Sequence, residues 1–211
     1  MLLLVLIGDL VASRETPDRQ SVQDRLRAAL DERNTDRTGI ASPYTITLGD
    51  EFQAVLENGE RAFKDAVSIQ AAVHPVLVRF SIAIGELSTK LNPHQAIGMD
   101  GPAFHQARAG IEDMRQSYSL FRLQGLPSDL SDIVAPSLNL VSHEFGKWQS
   151  RRFDILAAIQ RRERIADIAR CLNVSEQAVY KNISEGRLRD VSELFEALGR
   201  SVNDVLASPS A

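Results

Sequence analysis

The chain has 211 residues, of which 44% are hydrophobic and 25% charged, with a formal net charge of −4. That is enough apolar material for one large or two small cores. One cysteine, Cys171, excludes a disulfide framework and points to a reducing, cytoplasmic setting, with the thiol expected in the core.

In chain order, residues 2–8 are an apolar run that stops at Gly8-Asp9. The run has no basic start and no cleavage site. It is too short for a signal peptide or a membrane span, so it predicts a buried strand and no membrane partner. Residues 11–19 are polar, contain Pro17 and predict a loop. A helix follows over about 18–33, with Val22, Leu26 and Leu30 on one face. Residues 44–48 and 52–56 read as short strands around Gly49-Asp50, a hairpin signal. A helix over 62–72, a strand over 76–85, a loop over 86–100, a helix over 101–116 and a strand over 118–123 come next. From about 128 the pattern is helical. The order βαββαβ, then αβ, predicts an α+β fold of the ferredoxin-like or palm type with an antiparallel sheet. A boundary near Gly146 would separate a palm domain, 1–146, from an all-α domain, 147–211.

Asp9 ends the first strand, and Asp50 and Glu51 occupy the hairpin turn. Two carboxylates at adjacent strand ends are what Mg²⁺ or Mn²⁺ needs when it also binds phosphate oxygens, so Asp9 and Asp50 are the expected metal ligands. Gly8 and Gly49 would leave room for a ligand's phosphates. Arg14, five residues after Asp9, can reach a phosphate. The four histidines are too dispersed for a zinc motif.

Residues 165–183 have the grammar of a helix-turn-helix. Ile168, Ala169 and Leu172 share one helical face, Asn173 tolerates a left-handed turn, and Ser175 can cap a second helix. That helix would bury Ala178, Val179 and Ile183 and present Gln177, Tyr180 and Lys181 outward. Ser175, Gln177, Tyr180 and Lys181 are therefore the expected DNA-contacting residues. Between Lys147 and Asp190, ten Lys/Arg stand against six Asp/Glu, a local +4 that leaves −8 in the rest. Trp148 is expected to anchor this module. The apolar stripe Val191, Leu194, Phe195, Leu198, Val202 and Val205 predicts packing on the module or a homodimer seam.

Four segments carry a family resemblance: Gly8-Asp-Leu-Val-Ala-Ser-Arg14, Thr47-Leu-Gly-Asp-Glu-Phe-Gln53, Arg79-Phe-Ser-Ile-Ala-Ile-Gly85 and Gly101-Pro-Ala-Phe-His-Gln-Ala-Arg108. Over most of its length the chain is similar to the SatD family. In the same order, residues 1–125 resemble the landmarks of class III nucleotide cyclase domains: a strand-end Asp, a Gly-Asp hairpin, an Arg-bearing strand ending in Gly, and a helix that holds nucleotide. The resemblance implies a palm fold joined to a DNA-binding module, and nucleotide contact through Arg14, Glu51, His105 and Arg108. It also breaks at three places. His105 stands where those enzymes place Asn. Arg108 comes one residue early, about 100° round the helix. Ile46 replaces a base-reading Lys. The resulting expectation is a DNA-binding regulator whose palm domain senses a metal or nucleotide ligand or dimerises. The alternative is a metal-dependent nucleotide cyclase or other phosphoryl-transfer enzyme using Asp9 and Asp50.

Overall fold

The structure is a computed structural model, and it describes residues 1–12, 18–47 and 49–208. Arg14 lies outside the described residues.

Strand β1, Leu3–Leu10, is buried along its whole length at the centre of a five-stranded sheet ordered β2-β3-β1-β4-β5. Its alternate side chains serve two different interiors. Leu4, Leu6 and Leu10 face the larger helical layer, whereas Leu3, Val5 and Ile7 pack beneath helix α3. Burial on both faces is why the segment reads as an unbroken apolar run.

Helix α1, Arg19–Thr35, starts where the Asp18 side chain accepts from the Ser21 amide. Strands β2, Ile40–Ile46, and β3, Glu51–Leu56, form the expected hairpin, with Gly49 at φ +66° in the turn. Helix α2, Gly59–Val73, is capped by Asn58 and leads to β4, Val78–Gly85. Helix α3, Pro102–Gln116, then crosses the sheet and returns the chain to β5, Phe121–Gln124.

The sheet is mixed, not purely antiparallel. β5 runs parallel to β4, because a whole helix separates the two strands and carries the chain back to the starting end. The fifth strand also starts later than expected, and Tyr118 stands fully exposed ahead of it.

Five helices follow: α4, Ser128–Phe145; α5, Ser150–Gln160; α6, Ile165–Cys171; α7, Glu176–Glu185; and α8, Leu188–Ala207. Gly146 caps α4, but packing does not break there. Phe195 of α8 stacks on Phe63 of α2 at 5.0 Å and meets Phe121 of β5 at 5.3 Å between ring centroids. Trp148 is buried between Phe145 and Phe153. The inner residues of α6 and α7, Ile168, Ala169, Val179 and Ile183, belong to the same apolar cluster as the sheet. A separate helix-turn-helix domain with its own core is therefore not what the chain builds. The stripe on α8 is occupied too: Val191, Phe195, Leu198 and Val202 are buried, and α8 lies against α2 and α5. Cys171 is exposed, not in the core. The inward residues of α6 are Ile168 and Ala169, followed by Leu172, and Cys171 sits about 100° round from Leu172.

Among the described residues, no helix is long and apolar enough to cross a membrane.

Candidate functional site

The chemistry-bearing side chains gather at the C-terminal end of β1. Asp9 is directly opposite Glu51 of β3 on one side and Arg79 of β4 on the other. Side chains alternate along a strand, so Asp9 shares the face of Ile7, the face covered by α3. The same parity places Glu51 and Arg79 on that face. Three charged side chains thus form one row across three neighbouring strands.

Helix α3 supplies the roof. It comes close to the sheet at Gly110, where an added Cβ would stand 2.2 Å from the Ser81 hydroxyl of β4. Arg108 and Arg115 are seven residues apart, two helical turns, and so project from one face. Arg115 Nη2 donates to Asp9 Oδ1 at 3.1 Å, and Arg79 Nη1 donates to Asp9 Oδ2 at 3.0 Å. Arg108 Nη1 donates to Glu51 Oε1 at 3.1 Å. Thr47 Oγ1 is 3.3 Å from the same Glu51 oxygen, and Arg115 also holds Glu112 at 2.7 Å.

The burial of these groups is uneven. Asp9 and Glu51 are only 5% and 8% exposed, while the Arg108 and Arg115 side chains are 53% and 42% exposed. The hydrogen bonds to Asp9 are the first cause holding the Arg115 guanidinium above its ordinary pKa, against the opposing pull of burial. Two buried carboxylates are therefore covered by two cations that reach into solvent.

Several sequence expectations are redrawn. Glu51, not Asp50, is the register partner of Asp9; Asp50 lies one residue earlier, in the turn. His105 is not brought into the row, since its exposed ring pairs with Asp100 at 2.7 Å. Gly8 leaves no space for phosphates. Its missing Cβ points to the opposite face, where the Phe52 ring fills the position at 2.1 Å. Gly49 is required by the left-handed turn. Arg115 joins the row with no motif to mark it in the sequence; its spacing of seven from Arg108 is the one local signal of a shared helix face.

The donor set suits Mg²⁺ or Mn²⁺ in one specific sense. Among the described residues, no three acidic, histidine or cysteine side chains are gathered as a cation cage. Mg²⁺ is commonly held by one or two carboxylates, with substrate phosphates supplying further oxygens. Asp9 and its neighbours at the hairpin fit that role, provided the arginines turn from the carboxylates to the phosphates.

The C-terminal surface gives the opposite result. Ser175 Oγ is committed to capping α7, accepting from the Ala178 amide at 3.1 Å. Gln177, Tyr180 and Lys181 are exposed, and Lys181 is 3.8 Å from Glu185. Arg164 and Arg170 both pair with Asp167, Arg152 with Glu185, and Arg187 with Asp190. Five of the basic side chains thus share three carboxylates of the same surface, Asp167, Glu185 and Asp190.

The mixed sheet with its strand-end row of carboxylates and arginines defines a palm-like α+β protein. The SatD family model matches residues 3–185, and the chain belongs to the SatD family. No curated protein matches it. Among solved structures it is similar to a bacterial light-regulated adenylyl cyclase, at 15% identity and a TM-score of 0.45, over 58% of this chain and 74% of that one. It is also similar to the guanylate cyclase domain of RhGC from Catenaria anguillulae in complex with GTP, at 18% identity and a TM-score of 0.38, over 51% and 70% of the two chains. The adenylyl cyclase CyaB from P. aeruginosa matches at 14% identity and a TM-score of 0.34, over 53% and 71%. The expectation of a DNA-binding regulator is corrected on these grounds together. The C-terminal helices share the core of the sheet, and several of their basic groups pair with carboxylates on the same surface, Arg164 and Arg170 both with Asp167.

Proposed function

We propose that the chain is a phosphoryl-transfer enzyme acting on a nucleoside triphosphate, with cyclisation of the nucleotide as one form of that reaction. The observation that carries the reading is the row Glu51–Asp9–Arg79 under Arg108 and Arg115: buried carboxylates of which Asp9 keeps one largely buried partner, Arg79, while the other two cations, Arg108 and Arg115, are about half exposed.

A half-exposed cation stabilises a buried carboxylate less than a buried one would, since solvent screens it. Exposed guanidiniums over buried carboxylates can instead exchange one anion for another. Arg108 and Arg115 turn to the phosphates, where planar guanidinium forks bind oxygens in pairs. Arg79 stays near Asp9 and keeps that carboxylate oriented. The vacated Oδ1 of Asp9, with the carboxylate of Glu51 on the neighbouring strand and that of Asp50 in the adjoining turn, are the groups that would hold Mg²⁺ or Mn²⁺. Such a cation supplies charge neutralisation on the phosphates and lowers the pKa of a bound hydroxyl. The arginines stabilise the charge that develops on the transferred group.

The test is turnover. Purified chain is incubated with Mn²⁺ or Mg²⁺ and each nucleoside triphosphate, and products are separated by chromatography. Metal-dependent loss of one triphosphate is expected, with cyclic nucleotide and pyrophosphate, or nucleoside diphosphate and phosphate, as products. Asp9→Asn should lower the rate at least tenfold. Absence of turnover in the unaltered chain, or turnover indifferent to Asp9→Asn, contradicts the reading.

A further inference from the structure

A hollow of about 290 Å³ opens next to the charged row, and Arg79 belongs to both, lining the hollow while its Nη1 donates to Asp9. Val11, Leu77 and Leu120 give it apolar walls, and His143 and Lys147 stand at its edge. Its walls are pinned by hydrogen bonds. The Val11 amide donates to the Leu77 carbonyl at 2.8 Å, and the Leu120 amide donates to the buried Ser142 hydroxyl at 2.9 Å. The hollow is thus formed before anything enters it, as small-molecule sites usually are. Tyr118 also borders it, and its side chain is fully exposed to solvent.

We infer that this hollow receives the base of the nucleotide whose phosphates the arginines hold; the inference rests on the function proposed above. A nucleotide has one planar, mostly apolar end with polar edges, and one anionic end. The two adjoining compartments divide in the same way. The apolar walls offer phosphates no compensation for lost water, whereas the flat face of a base loses little there. His143 and Lys147 face the edge, where a base carries its hydrogen-bonding atoms. Tyr118 is placed to stack on the open face of the base.

Gly146 makes the idea testable. It lines the hollow in right-handed backbone at φ −62°, and an added Cβ would meet nothing nearer than the His143 carbonyl at 3.6 Å. Gly146→Phe should therefore fold and plug the space. Tyr118→Ala removes an exposed ring and leaves the core untouched. The experiment is titration calorimetry in Mn²⁺ with non-reacting analogues of ATP and GTP and with inorganic tripolyphosphate, on the unaltered chain and both variants. At least one nucleotide should bind tenfold or more tightly than tripolyphosphate. Gly146→Phe should erase that advantage and leave the tripolyphosphate affinity unchanged, and Tyr118→Ala should reduce the advantage several-fold. If tripolyphosphate binds as tightly as both nucleotides, or if neither variant changes nucleotide affinity, the hollow is not a base site while the phosphate site stands. If tripolyphosphate does not bind the unaltered chain at all, the proposed function falls and takes the base site with it.

Discussion

At the scale of single residues, position in the strand decides role. Asp9 and Gly8 are neighbours in sequence but face opposite layers. One carries charge under α3, and the other admits the Phe52 ring into the main core. Asp154 on α5 shows a different balance. Burial holds its carboxyl above the usual 3.8, against the pull of His74, Arg161 and Arg151. A carboxyl with a raised folded-state pKa favours folding most when protonated. That contribution is complete below 3.8 and is lost as pH rises through the folded-state value. Asp154→Asn should consequently raise the melting temperature at pH 7, and the gain should disappear below the unfolded value. A variant that melts no higher than the unaltered chain at pH 7 would show that the charged partners outweigh burial.

At the scale of elements, close approach between helices sets the architecture. α8 crosses the start of α2 at Gly199, where an added Cβ would lie 2.7 Å from the Glu60 amide and Cα. The Gly59 amide donates to Asn203 Oδ1 of α8 at 2.7 Å across the same crossing. Backbone cannot retreat as a flexible side chain can, so Gly199→Ala should destabilise the protein by about 1–3 kcal/mol in urea titration. A loss below about 0.5 kcal/mol would mean that the crossing relaxes freely.

This crossing also marks the limit of what the sequence conveys. β1, the hairpin and α3 were legible because strand alternation, Gly-Asp turn chemistry and a helical apolar stripe are local signals. The stripe on α8 announced burial but not its partner, since apolar periodicity carries no address. The direction of β5 was equally hidden, because a four-residue strand has no pattern that reports parallel pairing. At the site, Asp9 and the acidic hairpin could be read directly. Their partners Arg79 and Arg115 could not be assigned, because both depend on strand register and on how α3 lies over the sheet.

At the scale of the whole molecule, the sheet divides labour between its faces. One face carries the large core, in which α2, α4, α5 and α8 meet through Phe63, Phe145, Phe153 and Phe195, against Phe121 of β5. The other carries α3 and the charged row. The rigid layer fixes the strand ends, and the half-exposed arginines supply the part that can change partners. The proposed function turns on a phosphate ligand drawing those arginines away and so freeing Asp9 for a divalent cation. Electron paramagnetic resonance of Mn²⁺ tests this directly, comparing the unaltered chain with Asp9→Asn, each with and without a non-hydrolysable nucleoside triphosphate. Little Mn²⁺ should bind the chain alone, and a protein-bound ternary spectrum should appear once nucleotide is added and be lost in Asp9→Asn. Identical spectra from the unaltered chain and Asp9→Asn in the presence of nucleotide would contradict the proposed function.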